Sequence, residues 1–388
     1  MQMSSLKGLN IIAFQFPYPA NYGGAIEVFE KLKTLKESGF YIILHAFLYD
    51  REYNSCIEDY ADEVHCYIRK KRMTDQLYME PFIVKSRESE ELLANLCENS
   101  YPILFEGLHT CSFLNHKALK DRIRWVRAHN IEHHYYQALS HGKCGILKKA
   151  YFRIEALKLQ RYESVLKSAD AILAITEKDK LYFDSVYSGD RTKIVHLPCF
   201  SAEPVRKSGI TIRNQILYHG NLAVIENQTA VEYIIDHYLR DFSVPVIIAG
   251  ANPSDSLKIK IRNSHANITL IENPTDEELN SLIQSSKINL LLTFQSTGIK
   301  LKLIKALRLG TYVVANPEMI SGTGLDDFCE IAQNEDLPFL INKLINEPGM
   351  DESLIAVRDE KLNNMLSNQK SVSVIEQLYT DQYYSGEK

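Results

Sequence analysis

Two turns suited to negative charge stand near opposite ends of this 388-residue sequence. In the first, an apolar strand ending Ile11-Ile12-Ala13-Phe14 runs through Pro17-Tyr18-Pro19 into Gly23-Gly24 and an amphipathic helix. In the second, residues 288–294 run through Gln295-Ser296-Thr297-Gly298 into a helix closed by Gly310 and a strand over 311–316. A glycine at a strand-to-helix turn lets backbone approach a ligand closely. The helix start behind it presents unpaired N–H groups and a partial positive charge. The second helix adds side-chain charge, because Lys300, Lys302, Lys305 and Arg308 crowd it. Like charges at that spacing cost about 0.2–0.5 kcal/mol per pair on an isolated helix, and a phosphate-bearing ligand relieves the cost. The two turns together predict an anionic ligand, such as a phosphorylated sugar donor, held in a cleft between two domains.

Alternating strands and helices must carry these turns. A helix over 25–38 places Ala25, Val28, Phe29, Leu32 and Leu35 on one face and stops at Gly39, which supplies a left-handed terminator. A strand over 41–47 follows at once, so a right-handed βαβ unit is expected. Further strands are expected at 102–106, 123–128 and 171–175. Residues 198–209 (PCFSAEPVRKSG) read as a linker with two prolines and no periodicity. The pattern then restarts with a strand over 215–219, a helix over 227–239, and strands over 244–249 and 268–271. The run Thr275-Asp276-Glu277-Glu278 has the form of a capping box. The fold class is therefore α/β, with two Rossmann-like doubly wound domains over 1–200 and 201–371. A C-terminal helix near 372–388 is expected to pack back on the first.

Composition narrows the class. The length fits two α/β domains better than one core. No stretch approaches 18 uninterrupted apolar residues, and no secretory layout opens the sequence, so a cytoplasmic protein is expected. The 7 cysteines are scattered, with no C-x-x-C, and read as reduced thiols. A formal charge of −5 argues against nucleic acid as the main partner. His129, His133 and His134 lack a second ligand cluster, so no metal site is expected. No nucleophile elbow surrounds Ser321, and Asp326-Asp327 and Glu277-Glu278 read as helix-start charges.

The order of motifs resembles GT-B glycosyltransferases, particularly the retaining family 4 group. The resemblance rests on Pro17-Tyr18-Pro19 before Gly23-Gly24, on Gly220-Asn221-Leu222 and on Ile247-Ile248-Ala249-Gly250. It rests further on the run from Gly298 through Lys302, Lys305 and Gly310 to Ala315. Arg127-Ala128-His129-Asn130-Ile131-Glu132 and Glu106-Gly107-Leu108-His109 resemble the strand ends that carry sugar and acceptor contacts in that family. The resemblance implies transfer of a hexose from a nucleotide diphosphate sugar to a glycan or lipid-linked acceptor, in surface polysaccharide or glycoconjugate biosynthesis. It implies a retaining, metal-independent route without a tightly bound cofactor, the leaving phosphate taking the acceptor proton. His129, His109 and Glu106 become the candidate catalytic contacts. Gly23, Gly24, Gly220, Asn221, Gly250, Thr297, Gly298, Lys300, Lys302 and Lys305 become the candidate donor-binding residues.

The sequence departs from the family pattern at one point that matters. The carboxylates of the E-x7-E pair fall on Thr297 and Lys305, and an ammonium accepts no hydrogen bond from a ribose hydroxyl. The cation pair after the first strand of the second domain is also missing near Asn221 and Glu226. A catalytically degenerate binder of a glycan or partner, or a sugar-nucleotide epimerase, thus stands as an alternative. Two basic runs bear on partners: Arg69-Lys70-Lys71-Arg72, and residues 143–167 with seven Lys/Arg against two Glu. The second reads either as a face for an anionic leaflet on the cytoplasmic side of a membrane or as the solvated side of a packing helix.

Overall fold

The computed structural model describes residues 7–70, 78–142, 145–187, 189–264, 267–295, 298 and 300–384. The chain divides into two compact units. One comprises Met1–Ser201, Thr297–Ile299 and Leu366–Lys388, and the other Ala202–Ser296 and Lys300–Met365.

Seven strands form the sheet of the first unit: β1 (Lys7–Ala13), β2 (Phe40–Leu48), β3 (Glu63–Ile68), β4 (Ile103–Glu106), β5 (Arg124–Ala128), β6 (Ala171–Ala174) and β7 (Lys193–His196). Their order is β3-β2-β1-β4-β5-β6-β7, every pairing is parallel, and Ile11 lies opposite both Leu44 and Leu104. Parallel strands need helical crossovers, which cover both faces, so β1 is apolar at nearly every position. The strand alternation sorts its side chains. Leu9, Ile11 and Ala13 pack with Val28, Leu32 and Leu35 of the helix Gly23–Glu37, while Ile12 packs with Phe105, Val126 and Leu159 on the other face. That helix ends where Gly39 adopts φ +83°, as its sequence requires.

The helix Asn368–Tyr379 buries Val372, Ile375, Leu378 and Tyr379 beside the helix Gly23–Glu37. The Tyr379 hydroxyl donates to the Gly8 carbonyl at 3.0 Å, and Lys7 pairs with Glu376 at 2.7 Å. The return to this unit begins before the expected residue 372.

The second unit holds β8 (Arg213–His219), β9 (Val246–Gly250), β10 (Ile268–Glu272), β11 (Ser286–Leu291), β12 (Tyr312–Ala315) and β13 (Glu330–Ile331), in the order β10-β9-β8-β11-β12-β13 and again all parallel. Ile216 and Tyr218 meet the helices Ile225–His237 and Asp336–Asn346 on one face, and Leu217 meets Ile283 and Leu309 on the other. The capping box forms in both directions, with Thr275 N to Glu278 Oε2 at 2.7 Å and Glu278 N to Thr275 Oγ1 at 3.2 Å.

Three expectations shift. The strand expected from 244 begins at Val246, because Pro245 has no N–H for the ladder and offers only its carbonyl, to Ile216 N at 2.9 Å. The strand expected over 288–294 runs over Ser286–Leu291. Beyond it the Asn316 side chain replaces the ladder, bonding Thr293 N at 3.1 Å and Thr293 O at 2.6 Å. Strands β3, β7 and β13 escaped the sequence reading. They are sheet edges, half-exposed or short, so their apolar alternation is weak.

Candidate functional site

In the first unit the chemistry gathers at the carboxyl edge of β4 and β5. Glu106 ends β4 opposite Arg127 of β5, and both side chains point to the face covered by the helix Gly23–Glu37. That helix delivers Glu27 and Lys31, one turn apart and both buried. Lys31 Nζ reaches Glu106 Oε1 at 2.5 Å, and Arg127 Nε and Nη2 reach Glu27 Oε1 at 2.7 and 2.6 Å. Arg127 Nη1 also donates to the Leu197 carbonyl at 2.5 Å, fixing the guanidinium from behind.

His129 closes the network. Its Nδ1 lies 3.0 Å from Glu27 Oε2 and its Nε2 lies 2.8 Å from Glu106 Oε2. Neighbouring cations hold both carboxyls below the usual carboxylate range against the opposing effect of burial. Two carboxylates can be satisfied only if both ring nitrogens donate, so the ring is an imidazolium. Burial opposes that charge, but Glu27 and Glu106 outweigh it and raise the His129 pKa. Two carboxylates thus face three cations, a formal excess of one positive charge. With no free lone pair, His129 acts as a fixed cation rather than as a base.

His109 follows Gly107, whose φ of +75° an L side chain would strain and whose added Cβ would lie 3.0 Å from His109 Nδ1. Its ring lies 5.2 Å from that of Phe14, and His129 lies 5.5 Å from the same ring. Burial and nearby Arg87 and His129 push His109 well below the usual histidine value, so it is neutral. His109 Nδ1 and Glu132 Oε1 stand 3.9 Å apart, both buried and both without a hydrogen-bond partner among the described residues. Burial pushes the Glu132 carboxyl up to about 7.

The first glycine turn is asymmetric. A Cβ on Gly23 would meet nothing within 4 Å, whereas one on Gly24 would lie 2.6 Å from the Phe14 ring. Gly23 is therefore the open face of the turn, and Gly24 is needed for packing.

In the second unit, Gly220 and Gly250 leave β8 and β9 side by side. A Cβ on Gly250 would fall 1.9 Å from the Gly220 carbonyl oxygen, so the strand ends close only because position 250 is bare. Asn221 turns into its own loop, its Oδ1 accepting from Ala223 N at 3.0 Å. Lys302, in the first turn of the helix Leu301–Leu309, folds over the Tyr218 ring and donates to Tyr218 Oη at 3.1 Å and Asn227 Oδ1 at 2.8 Å. Both acceptors are neutral, and its third hydrogen has no acceptor among the described residues. Burial and the Lys300 charge bring its pKa down to about 7. His219 is buried with Nε2 unpartnered among the described residues, and burial with the Lys302 and Lys305 charges pushes it down to about 3. Lys305 turns the other way, to Asp276 at 3.0 Å. Lys300 is half-buried ahead of the helix, whereas Gly298, which adopts φ +62°, groups with the first unit, and Thr297 lies outside the described residues.

The arrangement of two parallel sheets is shared with solved structures across nearly the whole chain. TarM covers 98% of this chain and 100% of its own, with a TM-score of 0.64 and 10% identity. Anabaena HepE, solved with UDP and glucose, gives 0.64 over 97% and 100% at 12% identity. A glycosyltransferase of Rickettsia africae gives 0.61 over 97% and 98% at 13% identity. The fold is GT-B. No family model matches the chain. In sequence it is 25% identical over 367 residues to an uncharacterized 44.6 kDa protein in the cps region of Klebsiella pneumoniae, covering 88% of this chain and 92% of that protein.

Within this GT-B chain the structure brings Glu106, His109 and His129 to one edge of the first sheet. Gly220, Asn221, Gly250 and Lys302 meet at one edge of the second. Glu106 was expected to contact the transferred sugar or the acceptor; it is fully buried, and its two oxygens are held by Lys31 and His129. Sequence reading missed Glu27 and Lys31, although charges bordering the apolar face of a core helix were a usable signal. It also missed Asn227, which only tertiary contacts disclose, and it placed Glu132 within a strand-end segment without naming it a site residue.

Proposed function

We propose that this chain transfers a hexose from a nucleotide diphosphate sugar to a glycan or lipid-linked acceptor, in surface polysaccharide or glycoconjugate assembly. The observation that carries this reading is Lys302, held by two neutral oxygens, Tyr218 Oη near the end of β8 and Asn227 Oδ1, with its third hydrogen unmatched among the described residues. A diphosphate gains a charge-assisted hydrogen bond there. The gain grows as the sugar–phosphate bond breaks, because the departing diphosphate collects negative charge. In a retaining, metal-independent route the leaving phosphate takes the acceptor proton. That division of labour suits a first unit in which His129 is a fixed cation, Glu27 and Glu106 position it, and neutral His109 offers a nitrogen to a hydroxyl. HepE, solved with UDP and glucose, and the relative in a cps region support the choice of donor and setting.

A thermal-shift panel of UDP, GDP, dTDP, ADP and CMP tests the reading, with Lys302→Ala alongside. A nucleotide at a hundred times its Kd adds about 2.7 kcal/mol, a visible shift. One base should stabilise the native protein and lose its effect in the variant. No shift with any of them would remove the donor assignment.

A second reading, a GT-B protein that binds without transfer, is favoured by Lys305. It replaces a carboxylate of the family pattern and pairs with Asp276. Donor hydrolysis or transfer by purified protein decides against it.

We assign the helix Ile146–Tyr162 as a membrane-facing element on the cytoplasmic side. Ile146, Leu147, Ile154 and Leu157 are exposed on it, among Lys148, Lys149, Arg153, Lys158 and Arg161. No helix among the described residues is long and apolar enough to cross a membrane. Co-sedimentation with anionic vesicles should be strong at low salt and fade as salt rises; absence of pelleting would remove the assignment.

A further inference from the structure

Arg51, Arg69 and Arg87 lie near the carboxyl edge of the first sheet, after β2, after β3, and after the short helix Phe82–Lys85. Among the described residues none of the three has a carboxylate within ion-pair distance. Arg87 is 4% exposed, and its partners are two carbonyls, Phe14 O from Nε and Ile83 O from Nη1, each at 2.6 Å. Its Nη2 has no partner among the described residues. Arg69 Nε donates to Ser86 Oγ at 2.9 Å, next to Arg87 in the chain, and its guanidinium lies 4.3 Å from the Tyr49 ring and 5.4 Å from the Phe82 ring. Arg51 is held by Pro19 O and Asn21 over the Tyr22 ring.

A buried guanidinium without a counter-ion is costly, and buried charges are normally paired. Here two neighbouring cations are fixed by neutral groups alone. Burial pushes Arg87 down to about 9, with the Arg69 charge adding to it, and burial lowers Arg69 as well. The facing acids do not cancel this charge. Glu132 is pushed up to about 7 and its Oε1 has no partner among the described residues, and the Asp50 charge acts on Arg69 without outweighing burial. Rigid forks of this kind match an anion with two equivalent oxygens.

We propose that Arg69 and Arg87 form an anion subsite that takes a phosphate ester or a carboxylate of the acceptor. The inference rests on the transferase reading, in which the donor diphosphate is assigned to Lys302; a second anion site is then left for the acceptor. The chemistry implies an acidic acceptor, either a phosphate-linked saccharide or a chain carrying an acidic sugar.

Titration calorimetry without nucleotide tests it, with glucose 6-phosphate, glucuronate and methyl glucoside as probes. At least one anionic probe should bind the native protein, and methyl glucoside should not. Phosphate binding alone points to a phosphate-linked acceptor, and carboxylate binding alone to an acidic sugar. Arg69→Gln should weaken the binding at least tenfold, Arg69→Lys should restore part of it, and Lys302→Gln should change it less than twofold. Arg87→Gln is informative only if its melt is native-like, so half-buried Arg69 carries the test. Failure of both anionic probes, binding that survives Arg69→Gln, or loss in Lys302→Gln would overturn the subsite. The donor panel is a separate experiment, so either reading can fail while the other stands.

Discussion

Donor binding should draw a proton from solution, and Lys302 is the reason. Its pKa of about 7 comes from burial and from the Lys300 charge, with only neutral oxygens as partners. At pH 8 about one-tenth of the free protein carries that proton, and at pH 6 about nine-tenths. If only the ammonium form grips the diphosphate, affinity falls about tenfold between pH 6 and pH 8, or about 1.4 kcal/mol. Each binding event at pH 8 then takes up about 0.9 proton, against about 0.1 at pH 6. The ligand to use is the nucleotide sugar chosen by the thermal-shift panel, because its diphosphate is a diester with no titration near neutrality. Calorimetry at pH 8 in two buffers of different ionisation enthalpy reads the uptake directly. Lys302→Gln should bind more weakly and show no buffer dependence. Tight binding with equal heats in both buffers, or an unchanged pH slope in the variant, would exclude Lys302 as the titrating group.

Other consequences are as direct. Glu106→Gln removes the carboxylate that faces Lys31 at 2.5 Å and raises the formal charge of the network from one to two, so it should cost about 3–5 kcal/mol in urea unfolding; a cost under about 1 kcal/mol would mean that this carboxylate does not hold the site. An NMR titration of His129 should place its midpoint above 6.5. Its contribution to stability is then complete below about 6.5 and lost as pH rises through the raised value. A midpoint at or below 6.5 would contradict the imidazolium. Gly250→Ala should cost about 1–3 kcal/mol or more and weaken nucleotide binding, since its Cβ falls 1.9 Å from Gly220 O; Gly23→Ala, which meets nothing, should leave the melting temperature unchanged or slightly higher. Leu32→Ala, fully buried under the first sheet, should cost about 2–5 kcal/mol by denaturant titration.

Much of the architecture was legible because parallel sheets write themselves plainly. Central strands buried on both faces read as apolar runs, and the helices between them stop at Gly39 or start at Thr275 for local reasons that sequence states outright. Local pattern was enough for the α/β class, the restart after the linker and the glycine turns that bare a strand end. It also displayed the lysines ahead of Gly310, but not their fates. Lys302 folds under two neutral oxygens while Lys305 turns to Asp276, three positions later on the same helix, because each meets a different neighbour brought by a different element. Only the tertiary structure decided that Glu106 would be buried beneath His129 and that Glu27 and Lys31 would join it. It alone left Arg87 among carbonyls. These outcomes depend on contacts between residues up to a hundred positions apart, as from Glu27 to Arg127. Local spacing sets which face of an element a side chain occupies. Packing sets what it meets there, and with that its charge.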